Sequence, residues 1–214
     1  MCGIAAIIHN NTNNNNTNIN KSLYELLFNL QHRGQDSSGF AVFNKENDKI
    51  SITKKFGLVD KNLENVLEMN GYMGIGHVRY PTKGNITENE IQPFYSNELN
   101  GISLVHNGNL TNTDYLYKFC NENNINLISQ SDSEIILQLF IHFLKTYIDN
   151  IKNITNCIIK NVVKNIYDIC KGSYSIVIMI NNYGLVIFRD IYGIKPLVYT
   201  HENNCILVSS ETIS

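Results

Sequence analysis

The chain has 214 residues, of which 43% are hydrophobic and 17% charged, and this composition is typical of a globular protein with a sizeable core. Its formal net charge of −2 argues against binding to nucleic acid or to an acidic membrane, and no apolar run reaches the roughly 18 residues of a membrane span. The five cysteines are widely spaced without a CxxC pair, which argues against a disulfide framework and a zinc site and predicts a cytoplasmic protein.

The first half of the chain is predicted to be mainly strands. An apolar run follows Met1 at once and predicts a strand, and the Asn-rich stretch 10–20 after it predicts a surface loop. Leucines at helical spacing then predict a helix over residues 21–32, with Ser22 as its cap. Further strands are predicted at residues 39–44, 49–56, 72–80 and 101–107.

The second half is predicted to contain three helices followed by strands. The helices lie between residues 111 and 171, and the second begins near Asp132. Four apolar runs after residue 174 predict strands, and a turn with Asn182 and Gly184 joins the first two. Strands at both ends with helices between them predict an α+β fold, in which helices pack on antiparallel sheets.

Four polar stretches follow apolar elements, and together they supply what a cysteine amidase needs: QHRGQDSSG (31–39), GHVRYPTKG (76–84), HNGNLTN (106–112) and QSDSE (130–134). Removal of Met1 would give Cys2 a free α-amine with a pKa of about 7.7–8.0, which can take the thiol proton without a histidine. Asn107 and Gly108 offer an amide and a backbone N–H to an oxyanion. Arg79 suits a substrate carboxylate and Asp132 a substrate ammonium group.

Each of these residues also has a structural interpretation when it is taken alone. A cysteine such as Cys2 is more often part of a core, Asn-Gly is more often a turn, and Asp132 is most simply a helix cap. Arg79 could pair with a surface carboxylate. A metal site is disfavoured because the candidate ligands lack helical His-x₃-His spacing. Those ligands would be His32, His77, His106 and Asp132.

In combination and in this order, the motifs resemble the class II glutamine amidotransferases, which are N-terminal-nucleophile hydrolases. The resemblance runs from Met-Cys-Gly-Ile to the Ser-Ser-Glu that ends at Glu211. Within the family, QHRGQ, RYPT and HNGNL are most similar to the amidophosphoribosyltransferases. Two alternatives stay open, which are an amidotransferase with another acceptor, such as fructose 6-phosphate, and a non-catalytic glutamine-binding module.

The resemblance implies a four-layer αββα sandwich of two antiparallel sheets, and a single glutaminase domain over residues 2–214. Cys2 would be the nucleophile that hydrolyses glutamine to glutamate and ammonia through a thioester. Asn107 with Gly108 would form the oxyanion hole, and Arg79 with Asp132 would bind the α-carboxylate and α-ammonium of glutamine. Further substrate-binding residues implied in the same way are Tyr80 and Thr82, in a loop that closes over glutamine, and Arg33 and Gly34.

The resemblance also implies partners outside this chain. In the full-length enzyme the ammonia would pass to phosphoribosylpyrophosphate and give 5-phosphoribosylamine, the first committed step of purine synthesis. The phosphoribosyltransferase domain is absent from this chain, and Mg²⁺ is expected in that domain, with no cofactor expected here. The family also implies a homo-oligomer, and it leaves open an iron–sulfur cluster, which some members contain.

Overall fold

The computed structural model describes residues 1–10, 19–44, 46–80 and 87–212. Thr82 and most of the Asn-rich stretch lie outside these described residues. The strands are β1 (Gly3–His9), β2 (Ser37–Asn44), β3 (Lys49–Phe56), β4 (Met73–Arg79), β5 (Phe94–Ser96), β6 (Ile102–Leu110), β7 (Gly172–Ile180), β8 (Gly184–Arg189), β9 (Val198–Glu202) and β10 (Cys205–Ser209). The helices are α1 (Asn20–Asn29), α2 (Leu63–Glu68), α3 (Thr113–Glu122), α4 (Asp132–Lys145) and α5 (Asn156–Ile169).

The strands form two antiparallel sheets. The larger has the order β3-β2-β4-β1-β10-β9, and the smaller has the order β5-β6-β7-β8. In the larger sheet the N-terminal strand β1 is central, because β4 pairs with one of its edges and β10 with the other. The register pairs Gly3 with Val78 on β4 and Ala5 with Ser209 on β10. The beginning of the chain is therefore held inside a sheet.

The two sheets pack face to face, and helices cover their outer faces. Side chains at alternate positions, such as Ile4 on β1 and Val105 on β6, form the core between the sheets. Leu23 and Leu27 of α1 pack on the outer face of the larger sheet, and α3, α4 and α5 cover the smaller one. Each fully buried leucine or isoleucine contributes about 1.5–3 kcal/mol of hydrophobic free energy. The layers run α, β, β, α, so the predicted α+β sandwich is confirmed.

Two predicted helix caps are wrong. Helix α1 has Ile19 at its N-cap position, so Ser22 lies inside the first turn. Helix α4 has Ser131 as its N-cap, since the extended backbone there lets the Ser131 hydroxyl accept from the N–H of Ser133. Asp132 is consequently the first helical residue, and its carboxylate is available for other contacts.

Two short elements were not predicted. Helix α2 has six residues and strand β5 has three, which is too short for an apolar period to stand out. Among the described residues, no helix combines the length and the apolar character needed to cross a membrane.

Candidate active site

The register of the larger sheet brings Cys2 and Arg79 to the same place. Ile4 on β1 and Ile75 on β4 both face the inter-sheet core, so the two-residue period directs Cys2 and Arg79 toward the same side. Gly3 pairs with Val78, and continuing this register by one residue sets Cys2 across from Arg79. The two residues therefore meet at the end of the sheet, beside the inter-sheet space.

The thiol of Cys2 is only partly exposed. Burial raises the pKa of the thiol above its ordinary value. This effect outweighs three influences that lower the pKa, which are a hydrogen bond from the Tyr80 backbone, the Met1 amino group and Arg79. Asp132 is also within electrostatic range and raises the pKa further. The thiol is therefore protonated at neutral pH, and a nucleophilic attack requires a base close to it.

Asn107 and Gly108 lie on β6, which packs against both β1 and β4. Because Val105 faces the inter-sheet core, Asn107 projects to the same side. The end of β6 lies near Cys2, since Asp132, which bonds the N–H of Leu110, is within electrostatic range of the Cys2 thiol. Asn107 is 2% exposed, and its Nδ2 makes no hydrogen bond within the described part of the chain. A buried donor without an acceptor costs about 1–3 kcal/mol, so an anionic acceptor supplied by a ligand would be favoured here.

Gly108 is required by close packing on the other side of β6. A Cβ atom at this position would lie 2.1 Å from the carbonyl oxygen of Ser173 and 2.6 Å from Nε2 of His106. Both distances are well below van der Waals contact, so no larger residue fits. Only glycine can therefore occupy the position on β6 that directly follows Asn107.

Asp132 is joined to the same strand. Its Oδ2 accepts from the backbone N–H of Leu110, at the end of β6, with a distance of 3.0 Å. Burial by itself would raise the pKa of Asp132, but His106 and the N–H groups of Leu110 and Ser133 together lower it. The carboxylate is therefore charged at neutral pH and can attract a cation.

A buried polar network fixes β6 to helix α4. Gln92 bonds the backbone of His106 from both sides, with Oε1 accepting from its N–H at 2.6 Å and Nε2 donating to its carbonyl at 3.1 Å. The same Nε2 donates to Ser133 Oγ at 3.0 Å, and His106 Nδ1 lies 2.9 Å from that oxygen. The network holds Asn107 and Asp132, which adjoin His106 and Ser133, in fixed relation to each other.

His77, which lies on the same strand as Arg79, is not a proton donor at neutral pH. His77 is fully buried on β4, and its burial, with His106 and Arg79 nearby, lowers its pKa to about 3. It is neutral at physiological pH, so it cannot act there as a general acid. Within the described ranges, no three His, Cys, Asp or Glu side chains are placed to hold a metal ion.

Tyr80 and Gly34 line one cavity, whose volume is about 420 Å³, together with Asp36. Gly34 lies directly against the backbone of β4, since a Cβ atom there would be 2.4 Å from the carbonyl carbon of Arg79. Tyr80 is 52% exposed and follows Arg79 at the end of β4. Both of these predicted substrate residues therefore lie next to Arg79.

Arg33 also lies at the site, but its guanidinium is directed inward. Its Nε donates to the carbonyl oxygen of Cys2 at 2.9 Å, and its Nη1 is paired with Glu211. The remaining Nη2 is sealed from solvent, so contact with a substrate would require the side chain to move. The role of Arg33 in substrate binding stays a prediction.

Comparison with known proteins identifies the family. The family model described as "Glutamine amidotransferase domain" matches residues 77–214, which is more than half of the chain. The chain belongs to the glutamine amidotransferase domain family. The predicted family is thereby confirmed.

Curated relatives of this glutamine amidotransferase domain match almost all of it. The amidophosphoribosyltransferase of Pseudomonas aeruginosa is 38% identical over 221 residues, covering 100% of this chain and 42% of the relative. The amidophosphoribosyltransferase of Escherichia coli is 39% identical over 201 residues, and the match covers 92% of this chain and 38% of that relative. The domain therefore spans about two fifths of the length of these relatives.

Solved structures agree with the domain in fold. The glutamine phosphoribosylpyrophosphate amidotransferase from B. subtilis, complexed with ADP and GMP, superposes with a TM-score of 0.79 at 26% identity. The alignment covers 99% of this chain and 42% of that one. A second structure, of "the allosteric regulatory enzyme of purine biosynthesis", has a TM-score of 0.79 at 28% identity.

Several residues of the site were not predicted. Asp36, Gln92, Ser133 and Glu211 lie in or beside the motifs, but no role followed from their types. The available signal was a polar residue at the end of an apolar element, with a partner that only the fold reveals.

Proposed function

We propose that this domain hydrolyses the side-chain amide of glutamine with Cys2 as the nucleophile. The observation that carries the proposal is the buried amide of Asn107, whose Nδ2 makes no hydrogen bond to the described residues. It adjoins Gly108 on a strand packed against the one that bears Cys2. An unpaired donor in this position suits a charge that exists only during the reaction.

The proposed reaction begins when Met1 has been removed and Cys2 carries a free α-amine. The α-amine takes the thiol proton, because burial raises the thiol pKa and leaves the sulfur protonated. Sγ then attacks the amide carbon of glutamine, and the oxyanion is bound by Asn107 Nδ2 and the N–H of Gly108. The C–N bond breaks, ammonia leaves with the proton from the α-amine, and water hydrolyses the thioester to glutamate.

The substrate contacts follow from charge. Asp132, charged at neutral pH, would bind the α-ammonium, and Arg79 would bind the α-carboxylate in a bidentate pair. Tyr80 and Thr82 would close over the bound glutamine, while the stretch that contains Arg33 and Gly34 would line the wall of the site. Closure would shield the reacting groups from bulk water once glutamine is bound.

We further propose that the ammonia is used by a larger enzyme to aminate phosphoribosylpyrophosphate. The support is that the relatives named above are amidophosphoribosyltransferases, of which this chain matches about two fifths. This favours phosphoribosylpyrophosphate over fructose 6-phosphate as the acceptor. In this proposal Mg²⁺ serves the transferase part, the glutaminase part uses no cofactor, and the full-length enzyme is a cytoplasmic homo-oligomer.

The proposal is tested with protein whose intact mass establishes the loss of Met1. Met1 is 59% exposed, which leaves it accessible to an aminopeptidase. We expect glutamate release from glutamine by the processed protein, and none by Cys2→Ala or by protein that retains Met1. Binding of glutamine without turnover by the processed protein would instead support the non-catalytic module. The acceptor is tested with the full-length protein, by adding phosphoribosylpyrophosphate or fructose 6-phosphate.

A further inference from the structure

Arg33 links the carbonyl of Cys2 to the other end of the chain. It lies in the short helical turn Gln31–Arg33 and is 5% exposed. Its Nε donates to the Cys2 carbonyl at 2.9 Å, while Nη1 forms an ion pair with Glu211, 178 residues away in sequence. A buried arginine with these partners is fixed at both ends of its guanidinium.

Cys2 needs an anchor of this kind because it precedes the first strand. Strand β1 begins at Gly3, so Cys2 lies beyond the described ladder. Removal of Met1 would leave Cys2 joined to the protein through its carbonyl carbon alone, and terminal residues fray unless something holds them. The proposed nucleophile and the proposed base are both on this residue, so a free rotation of its main chain would misplace both.

Glu211 is itself held firmly beside the N-terminal strand. Strand β10 ends at Ser209, and Ser210 N–H then donates to the carbonyl of Ile4 at 3.0 Å. The N–H of Ile4 donates in return to Ser210 Oγ at 2.9 Å. The hydrogen bond from Arg33, with a further one from His32, lowers the pKa of Glu211, so the carboxylate is charged at neutral pH.

We propose that Arg33, anchored by Glu211, is a positioning residue that fixes the main chain of Cys2 so that its thiol and α-amine face the substrate. The proposal rests on the proposed function in taking Cys2 as the nucleophile. In this proposal the Arg33 guanidinium holds Cys2 in place and does not bind glutamine. Displacement of a reacting group by about 1 Å can lower a rate about 10²-fold, so the loss of this anchor has a measurable effect on kcat.

The test compares Arg33→Met, Arg33→Lys and Glu211→Gln in the processed protein. The matched control is Arg189→Met, because the Arg189 guanidinium donates to the carbonyl of Lys195 and takes no part in the proposed site. We expect Arg33→Met to lower kcat about 10²-fold with KM within about twofold of the wild type. Arg33→Lys should restore part of the activity, since an ammonium can still donate to the carbonyl of Cys2. Glu211→Gln should lower kcat about tenfold, and the control should leave it unchanged.

Hydrogen–deuterium exchange of the peptide that begins at Cys2 gives a second measurement, which needs no enzyme activity. We expect exchange at residues 2–4 to be at least about tenfold faster in Arg33→Met and unchanged in Arg189→Met. A higher KM with unchanged kcat in Arg33→Met would overturn the proposal and make Arg33 a substrate ligand. Unchanged exchange would overturn it as well.

The remaining outcomes are also decisive. If Arg33→Met does not fold, Arg33→Lys and Glu211→Gln carry the test, and wild-type kcat and exchange in both would refute the positioning role. If the processed wild type releases no glutamate, the proposed function fails. The exchange measurement then still decides whether Arg33 anchors Cys2.

Discussion

Asp36 and Arg79 are joined by two contacts at the end of β4. The Arg79 guanidinium donates from Nη1 to Asp36 Oδ2 at 3.1 Å, and the backbone N–H of Asp36 donates to the Arg79 carbonyl at 3.1 Å. The predicted alternative of an ion pair for Arg79 is therefore present, but the carboxylate comes from the motif that lines the site. Asp36 holds the guanidinium in place, and this pairing is compatible with the binding of a substrate carboxylate proposed for Arg79.

Replacing Arg79 should weaken glutamine binding. A hydrogen bond to a charged group contributes about 1.5–3 kcal/mol, so we expect Arg79→Met to raise KM for glutamine about 10- to 150-fold. Arg189→Met is the control for the loss of one positive charge and should leave KM unchanged. Steady-state glutaminase kinetics measure both, and an unaltered KM in Arg79→Met would exclude Arg79 as the carboxylate ligand.

Replacing Asp36 should act only through Arg79. The pair is partly exposed, with 17% and 29% of the two side chains accessible, so it contributes at most about 1 kcal/mol. We therefore expect Asp36→Asn to raise KM about threefold to fivefold. In the Arg79→Met background the same substitution should have no further effect, and independent, additive effects in this double-mutant cycle would contradict the positioning role of Asp36.

Replacing Asn107 should lower the activity of the protein with little effect on its stability. Loss of one oxyanion donor lowers kcat about 10²–10³-fold, which we expect for Asn107→Ala. Because Nδ2 of Asn107 has no acceptor among the described residues, the substitution removes an unpaired buried group, and thermal unfolding should show little loss of stability. Asn109→Ala, at an exposed position two residues along the same strand, is the control and should retain wild-type kcat. A large fall in stability accompanied by unchanged kcat would contradict the prediction.

Asp132 should stabilise the folded protein, and this stabilisation should be lost only at a pH below the range in which most enzymes work. Its pKa is lowered from the ordinary value of 3.8, so the unfolded chain takes up the proton first as pH falls. The stabilisation is therefore fully present above about pH 4 and is lost as the pH falls through the lower folded-state pKa. We expect the free energy of unfolding, measured with urea between about pH 2 and pH 6, to show this loss in the wild type and not in Asp132→Asn.

The same carboxylate should leave glutamine binding independent of pH near neutrality. Because Asp132 stays ionised, its effect on KM for glutamine should not change between about pH 5 and pH 8. Asp132→Asn should raise KM across this range, and Asp114→Asn, an exposed residue in the first turn of α3, serves as the control. A KM in Asp132→Asn equal to that of the wild type would show that the ammonium binds elsewhere.

The amino-acid sequence by itself determined the larger elements and the identity of the family. Short apolar runs predicted β1 and β4, because one face of each strand packs in the inter-sheet core and the other packs under α1, and helical spacing predicted α5. The order of the motifs resembles that of the family, and the residue types of Cys2, Asn107 and Asp132 fit the hydrolysis and binding of glutamine. These conclusions depend on residue type and local period, which are properties of the chain alone.

Only the tertiary structure decided which polar groups are partners. Glu211 meets Arg33 across 178 residues, and Asp36 meets Arg79 because β2 pairs with β4. Asp132 is a charged group at the site rather than a helix cap because the backbone of Ser131 is extended and its own hydroxyl satisfies the helix end. A hydrogen bond depends on distance and direction in three dimensions, and neither is set by the local pattern around a residue.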